Sequence, residues 1–345
     1  MDKKRITALR KYGRIESVIL IIISFSIYYL ATLSDSQKFP DEKEIPLLKE
    51  ESLPQYAVFF DEEIGSVQNF LALNAQRSIK AATYTYSDSS LVRLYEKKAK
   101  EGIKVKVVAG RNRDNSTPGF SFSVIEQERG IVHPKFTVVD SKDIFITSSN
   151  MSSNLSTSSN SGVLFRDVPV AAKILEEEIS ALFSGNIEKR CPHGCETEIG
   201  TIYFTPGSAC RNVRDLFSKA ENRIYGAVYT LTLRHPLITG LKHALKKDVK
   251  VNLIVDNWIG RENRKVNKGA KRYLKSLGAE VEFDNNILPA DPLFHHKFAV
   301  VDGKTVIFGS MNWTASGCYR NREIIVVNNN PSIAKEFEKY FNSLF

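Results

Sequence analysis

The sequence predicts an α/β fold of two pseudo-symmetric α-β-α lobes packed face to face, preceded by one N-terminal transmembrane helix. Three observations carry this expectation. Apolar, strand-like runs alternate with helix-like stretches along most of the chain, which argues for sheets covered by helices. The same alternation occurs twice, with matching segments in the same order. The first part of the chain differs in composition from the rest: a basic run, an uncharged apolar run, then a polar stretch containing Pro40, Pro46 and Pro54.

Residues 1–16 form a basic cytoplasmic tail, with Lys3, Lys4, Arg5, Arg10, Lys11 and Arg14 set against Asp2 and Glu16. Ser17 to Ser34 carries no charge and is rich in Ile, Leu, Val, Phe and Tyr. As a helix this segment rises about 27 Å, close to the thickness of a hydrocarbon core. The basic flank predicts a signal-anchor with the N-terminus inside and the catalytic region extracytoplasmic. A cleaved signal peptide is the competing reading, although Ala31-Thr32-Leu33 is a poor small-x-small cleavage site. Residues 35–55 read as a tether.

Lobe 1 is expected over 56–186, a Cys-containing linker over 187–200, and lobe 2 over 201–345. Tyr56 to Phe60 parallels Thr201 to Phe204, each followed by a helix candidate. Ser78-Ile79-Lys80-Ala81-Ala82-Thr83-Tyr84-Thr85 parallels Arg223-Ile224-Tyr225-Gly226-Ala227-Val228-Tyr229-Thr230. Helix-like stretches follow at Ser89 to Lys100 and Pro236 to Lys247, then buried-looking strands at Ile103 to Val108 and Val249 to Val255. Val170 to Phe183 and Ser332 to Phe345 are amphipathic and close each half.

Between these elements lie two near copies of one motif. The first is His133-Pro134-Lys135-Phe136-Thr137-Val138-Val139-Asp140; the second is His295-His296-Lys297-Phe298-Ala299-Val300-Val301-Asp302. Both fit H-x-K-x-x-x-x-D, and both lead to Ser-x-Asn: Ser148 and Asn150, then Ser310 and Asn312. Each copy predicts a β-hairpin whose His and Lys, two residues apart, share a face. With two-residue turns at Ser141-Lys142 and Gly303-Lys304, Lys135 would face Ser148 and His133 would face Asn150. Likewise Lys297 would face Ser310, and His295 would face Asn312. Packing the lobes face to face would bring both sets into one cleft.

The halves are unequal. Glu323 opens the apolar run Ile324 to Val327, whereas Gly162 is read as holding the matching place before Val163 to Phe165. A buried Glu beside an imidazole fixes its tautomer and favours its protonated form; an ion pair with Arg320 or Arg322 is the alternative role. Thr147 precedes Ser148 where Gly309 precedes Ser310. Among the other histidines, His193 sits in a Cys-rich loop, His235 and His243 are expected at the surface, and His296 on the strand face opposite His295.

These residues resemble the phospholipase D superfamily, whose hallmark is a pair of H-x-K-x-x-x-x-D motifs, each followed by G-S-x-N. The second half matches fully through Gly309-Ser310-Met311-Asn312-Trp313-Thr314; the first departs only at Thr147. The resemblance covers about residues 56–345. It looks closest to the compact branch of bacterial nuclease-like and mitochondrial phospholipase D-like members. It implies a bilobal α/β sandwich, chemistry without metal or other cofactor, and a covalent phosphohistidine. His133, Lys135, Asp140, His295, Lys297 and Asp302 would be the catalytic set, with His133 as nucleophile and His295 as acid. Ser148, Asn150, Ser310, Asn312 and Glu323 would support the phosphate. The chemistry agrees: a phosphodiester is anionic, so cations must neutralise its oxygens before attack. An imidazole can serve as nucleophile, and a second as acid and then base.

The formal net charge of +9 includes +4 from residues 1–16, six basic residues against two acidic. The remainder suits an anionic substrate without selecting lipid over nucleic acid. Hydrolysis of a phospholipid at the membrane is the first reading, with Phe294 beside the motif offering an apolar contact. A metal-independent endonuclease acting on DNA or RNA is the alternative. Phosphatidyl transfer, as in cardiolipin synthesis, and an inactive scaffold are lesser ones. The catalytic unit is expected to be monomeric, since one chain holds both motifs. For Cys191, Cys195, Cys210 and Cys318, disulfides are favoured over zinc, whose common spacings they do not match, or free thiols.

Overall fold

The computed structural model describes residues 54–112, 118–127, 130–155, 157–185, 191–257, 262–285 and 292–345. The basic tail, the apolar segment 17–34 and nearly all of the tether therefore lie outside the described residues. Among the described residues no helix is long and apolar enough to cross a membrane.

The first half runs β1 (Tyr56–Phe60), α1 (Glu63–Asn74), β2 (Ser78–Tyr86), α2 (Ser89–Lys100), β3 (Lys104–Asn112), β4 (Ser121–Val124), β5 (Phe136–Val139), β6 (Asp143–Thr147), β7 (Ser161–Phe165) and α3 (Pro169–Ser184). The second runs β8 (Cys195–Thr197), β9 (Gly200–Phe204), α4 (Ala209–Lys219), β10 (Arg223–Val228), α5 (Pro236–Leu245), β11 (Lys250–Val255), α6 (Glu262–Lys275), β12 (Glu280–Phe283), β13 (Lys297–Val301), β14 (Thr305–Gly309), α7 (Ala315–Tyr319), β15 (Ile324–Asn328) and α8 (Pro331–Leu344). The sheets are ordered β1-β7-β6-β5-β2-β3-β4 and β12-β11-β10-β13-β14-β15-β9-β8. Read in opposite directions the two orders coincide strand for strand, with β8 as an extra edge. That edge falls inside the stretch expected to be a linker.

Alternation along β5 and β13 explains the layering. Phe136, Val138, Phe298 and Val300 belong to one central core, shared by both sheets and by α3 and α8. Ala299 and Val301 face the outer core under α4, α5 and α6. Val139 faces the outer core under α1 and α2. Strands buried on both faces are apolar without interruption, which is why their sequences show runs rather than alternation. The lobes are joined by that central core and by ring contacts across it: Phe60 stacks on Tyr340 at 3.8 Å, and Phe165 lies 6.4 Å from Phe308.

The hairpin register differs from the expectation by one residue. Phe136 pairs with Ile146 and Val139 with Asp143; Ala299 pairs with Ile307 and Val301 with Thr305. Continuing these ladders puts Lys135 opposite Thr147 and Lys297 opposite Gly309, not opposite the serines. The turns hold three residues rather than two, because the motif aspartates enter them with left-handed backbone: φ is 53° at Asp140 and 54° at Asp302. Asp tolerates this region better than most residues.

The aspartates stay there because of what they bind. The Asp140 carboxylate accepts hydrogen bonds from the backbone N–H groups of Gln76, Arg77 and Ser78, at 2.9, 2.7 and 2.8 Å. Asp302 does the same for Glu221, Asn222 and Arg223, at 3.0, 2.7 and 2.9 Å. Burial pushes both carboxyls up, but these donors outweigh it and hold them below the usual carboxylate range. Each Asp lies five strand residues from its Lys, about 17 Å away in an extended chain. In the structure Asp140 ties β5 to the start of β2, and Asp302 ties β13 to the start of β10.

Two disulfides use all four cysteines, Cys191 with Cys195 and Cys210 with Cys318. The second closes 108 residues of lobe 2, a span for which loop entropy stabilises by about 4–5 kcal/mol. No metal-binding cluster of His, Cys, Asp or Glu occurs among the described residues.

Replacing Asp302 with Ala removes three charge-assisted acceptor contacts and leaves a side chain poorly suited to positive φ. It is expected to lower unfolding free energy by about 2–3 kcal/mol in urea titrations, with turnover per folded molecule within a few-fold of the parent. Unchanged stability with abolished turnover would point to a catalytic role instead.

Candidate active site

Each motif histidine is attached to the opposite lobe through its backbone. His133 N–H donates to the Arg322 carbonyl at 2.8 Å, and Arg322 N–H to the Ile131 carbonyl at 2.9 Å. On the other side His295 N–H donates to the Ser159 carbonyl at 2.7 Å, and Ser159 N–H to the Leu293 carbonyl at 2.8 Å. These two short bridges place the residue after each acceptor, Glu323 and Asn160, beside the imidazole of the other lobe.

The side chains repeat the crossing. His133 Nδ1 lies 2.6 Å from Glu323 Oε2, and His295 Nδ1 lies 3.1 Å from Asn160 Oδ1. The counterpart of Glu323 is thus Asn160, not Gly162. The serines establish the equivalence: Ser148 Oγ accepts from Ser161 N–H and donates to Asn160 Oδ1, while Ser310 Oγ accepts from Ile324 N–H and donates to Glu323 Oε2. Gly162 has another role, leaving room for the Phe145 ring. His133, expected to lack a carboxylate partner, has one from the other lobe. Arg322 is not that carboxylate's partner; it makes a buried two-pronged pair with Glu178 of α3, both contacts 2.6 Å.

These contacts set the tautomers. An ionised carboxylate can only accept, so His133 Nδ1 carries the proton and Nε2 is left as a lone pair. Asn160 Nδ2 donates to the Ser158 carbonyl at 3.2 Å, which turns Asn160 Oδ1 toward His295 and makes His295 Nδ1 a donor also. Both rings therefore present Nε2 as the reactive atom. Tyr84 lies 5.4 Å from the His133 ring and Tyr229 lies 4.8 Å from the His295 ring, centroid to centroid. These tyrosines occupy matching places in the repeated Thr83-Tyr84-Thr85 and Val228-Tyr229-Thr230 segments, the signal by which they could have been found.

Lys135 and Lys297 are 1% and 3% exposed and form no ion pair among the described residues. Lys135 Nζ donates to the His133 carbonyl at 3.0 Å, and Lys297 Nζ to the His295 carbonyl. Burial lowers the Lys135 ammonium to about 7, against a smaller opposing pull from Glu323. Burial and then Lys135 push Lys297 well below the lysine range. Burial lowers His133 to about 4, partly offset by Glu323. His295 is driven well below the imidazole range by burial, then by Lys297, Lys135 and His133. Among the described residues Glu323 is the one carboxylate bonded to these four groups, and it bonds His133 rather than either lysine. Gly309, at φ 141°, keeps β14 close to β15: an added Cβ would collide with the Ile324 carbonyl. Thr147 instead hydrogen-bonds the Ser161 carbonyl at 2.9 Å. The side-chain carbonyls of Asn150 and Asn312 are buried and have no hydrogen-bond partner.

Other expectations are corrected here. Phe294 is buried in the central core, so it offers no apolar contact to a bilayer. His235 is buried rather than at the surface, and burial lowers it to about 4. His296 packs inside, its Nε2 3.0 Å from the Tyr340 hydroxyl, which donates to Asp61 at 2.7 Å. Asp61 N–H in turn bonds the Asn160 carbonyl at 2.9 Å, closing a circuit through both lobes back to the partner of His295.

Comparison with known proteins places this geometry. The family described as "Cardiolipin synthase, PLD-like domain" matches residues 213–345. The mitochondrial cardiolipin hydrolase of Xenopus laevis is 34% identical over 101 residues, 29% of this chain and 44% of that protein. The chain thus spans less than half the length of that relative. The phospholipase D of Rickettsia conorii is 26% identical over 141 residues, 41% of this chain and 66% of the relative. The phosphatidylserine synthase of Haemophilus influenzae Rd KW20 shares the fold, with a TM-score of 0.67 over 84% of this chain and 85% of that one at 13% identity.

Burial of His133 generates a pH dependence. His133 takes up its proton near 6.5 when unfolded but only near 4 when folded. The unfolded chain therefore binds more protons between those values, and stability is lost as pH falls through that window. Thermal melts are expected to drop steadily from pH 6.5 to 4. Lys135→Met removes a buried ammonium with no counter-ion, so in phosphate-free buffer it should raise the melting temperature at pH 7 while abolishing turnover. A lower melting temperature in this variant would contradict the account of an unpaired cation.

Proposed function

We propose that the chain is a member of the phospholipase D superfamily, a membrane-anchored phosphodiesterase that hydrolyses phospholipid through a phosphohistidine. The observation that carries the proposal is the pair of buried lysines without carboxylate partners, set between two imidazoles whose Nε2 atoms are both reactive. A phosphodiester supplies the missing negative charge. Its two non-bridging oxygens are matched by Lys135 and Lys297, one from each lobe, with the amides of Asn150 and Asn312 beside them.

His133 Nε2 attacks phosphorus, and the bond from phosphorus to the leaving oxygen breaks. His295 Nε2–H gives its proton to that oxygen, releasing the head-group alcohol. Water then attacks phosphorus, His295 takes a proton from it, and the phosphorus–nitrogen bond breaks to leave a phosphomonoester. The asymmetry between Glu323 and Asn160 supports this division. Positive charge develops on the ring that bonds phosphorus, and Glu323 stabilises it there. An imidazolium facing only the neutral Asn160 is held less firmly and is the stronger acid. The incoming anion offsets the charges of Lys297 and Lys135 that otherwise keep His295 deprotonated.

The phospholipid reading is supported by relatives named for cardiolipin and phospholipid cleavage, and by the uncharged segment 17–34. In this layout residues 1–16 are cytoplasmic, 17–34 anchor, 35–55 tether, and the two lobes over 56–186 and 201–345 work outside the cytoplasm as a monomeric unit. Nothing in the chemistry requires a metal.

Incubated in mixed micelles with ³²P-labelled phospholipid, the full chain is expected to release head-group alcohol with EDTA present. Quenching in alkaline denaturant should leave label on the protein, and the label should vanish in His133→Ala. Label retained in His133→Ala but lost in His295→Ala would reverse the roles. Cleavage of single- or double-stranded DNA without head-group release would replace the lipid reading with an endonuclease. Glu323→Gln keeps the shape but not the charge and is expected to lower kcat by at least about 10²-fold, measured on the same substrate; a change under threefold would remove Glu323 from the mechanism.

A further inference from the structure

Beside the second motif, lobe 2 carries an open groove of about 470 Å³ bordered by the loop after β10, by α6 and by the start of α7. Thr232, Leu233, Arg234, Lys265, Val266 and Ser316 contribute to its walls. Two of its wall segments lead along the chain to the site. Trp313 N–H donates to the Thr230 carbonyl and Thr232 N–H to the Trp313 carbonyl, both at 3.0 Å. One of these segments begins at Tyr229, against His295; the other begins at Asn312, two residues before Thr314, which also lines the groove. Two residues of chain span at most about 7 Å.

The groove combines two features that rarely coexist on a surface meant only for water. Among the described residues no carboxylate lines it, and Arg234 and Lys265 form no ion pair there. Lys268, also exposed, follows three residues after Lys265 on α6, which puts it on the same face of the helix. Among these cations stand large exposed apolar side chains, Leu233 at 40% and Val266 at 39%. A nucleic-acid strand would be met chiefly by aromatic platforms on which bases stack, whereas the groove itself offers branched aliphatics. Aliphatic side chains ringed by unpaired Lys and Arg fit the boundary between acyl chains and anionic head groups.

We propose that this groove and its rim are the surface by which the catalytic lobe docks on an anionic phospholipid bilayer. Leu233 and Val266 enter the acyl boundary, while Arg234 and Lys265 pair with head-group phosphates. A lipid held there lies next to Asn312 and His295, so docking and delivery of the scissile phosphate are one event. The inference rests on the phospholipid reading above.

The test uses the full chain reconstituted in phosphatidylcholine vesicles with and without phosphatidylglycerol. Turnover of labelled vesicle phospholipid is compared with turnover of a small soluble diester, bis(p-nitrophenyl) phosphate. In Leu233→Ser/Val266→Ser and in Arg234→Glu/Lys265→Glu, the ratio of vesicle to soluble turnover is expected to fall at least about fivefold. The charge-reversed pair should lose most where phosphatidylglycerol is present. A ratio equal to the parent's in both double variants overturns the proposal. A separate readout covers the case in which the parent cleaves the soluble diester but no vesicle lipid, which would sink the phospholipid reading instead. A Leu233→Trp reporter should then still be quenched by brominated phospholipid on anionic vesicles, beyond the quenching of the unsubstituted chain. Absence of that extra quenching would remove the docking surface as well.

Discussion

The site depends on each histidine being held from the opposite lobe. Two backbone bridges, His133 with Arg322 and His295 with Ser159, bring Glu323 and Asn160 to the ring they orient. Neither lobe alone holds an oriented imidazole. The buried Glu178–Arg322 pair reinforces one of these bridges, because Arg322 both accepts from His133 N–H and is gripped from α3 by two short contacts. Breaking one side of such a pair would leave a buried charge unpaired, a cost of about 3–5 kcal/mol.

The crossing buries two lysines that have no direct ion pair among the described residues. Burying Lys135 and Lys297 disfavours their charge, and the lowered lysine and imidazole values register that cost. The continuous apolar core shared by both sheets offsets it, since Phe136, Phe298, Phe308 and Phe337 pack there with little or no exposure. The folded state thus holds two lysines and two imidazoles together in a buried setting.

Near-symmetry makes the differences informative. Ser148 and Ser310 bind alike, Tyr84 and Tyr229 flank alike, and Lys135 and Lys297 reach equivalent carbonyls. The acceptor beside each ring differs, a carboxylate for His133 and an amide for His295. Two rings with the same tautomer but different charge partners have different proton affinities, and a two-step displacement requires that inequality.

How much was legible in the sequence follows from the range of each interaction. The duplicated strand-helix order, the two hairpins and the His-Lys pairs come from periodicity and spacing along the chain, so they were readable directly. β4, α6 and β12 were not anticipated: α6 is so basic that its buried apolar stripe, Ala270 and Leu274, is thin. The hairpin register slipped by one because the motif aspartates are claimed by backbone donors more than sixty residues away, which no local turn rule contains. The burial of Phe294 and His235, and the role of Asn160, follow from lobe packing. By itself the sequence determined that two imidazoles and two cations recur in equivalent local settings. Only the tertiary structure decided which residue holds which ring, because those partners lie 190 and 135 positions apart and meet only once the two sheets share a core.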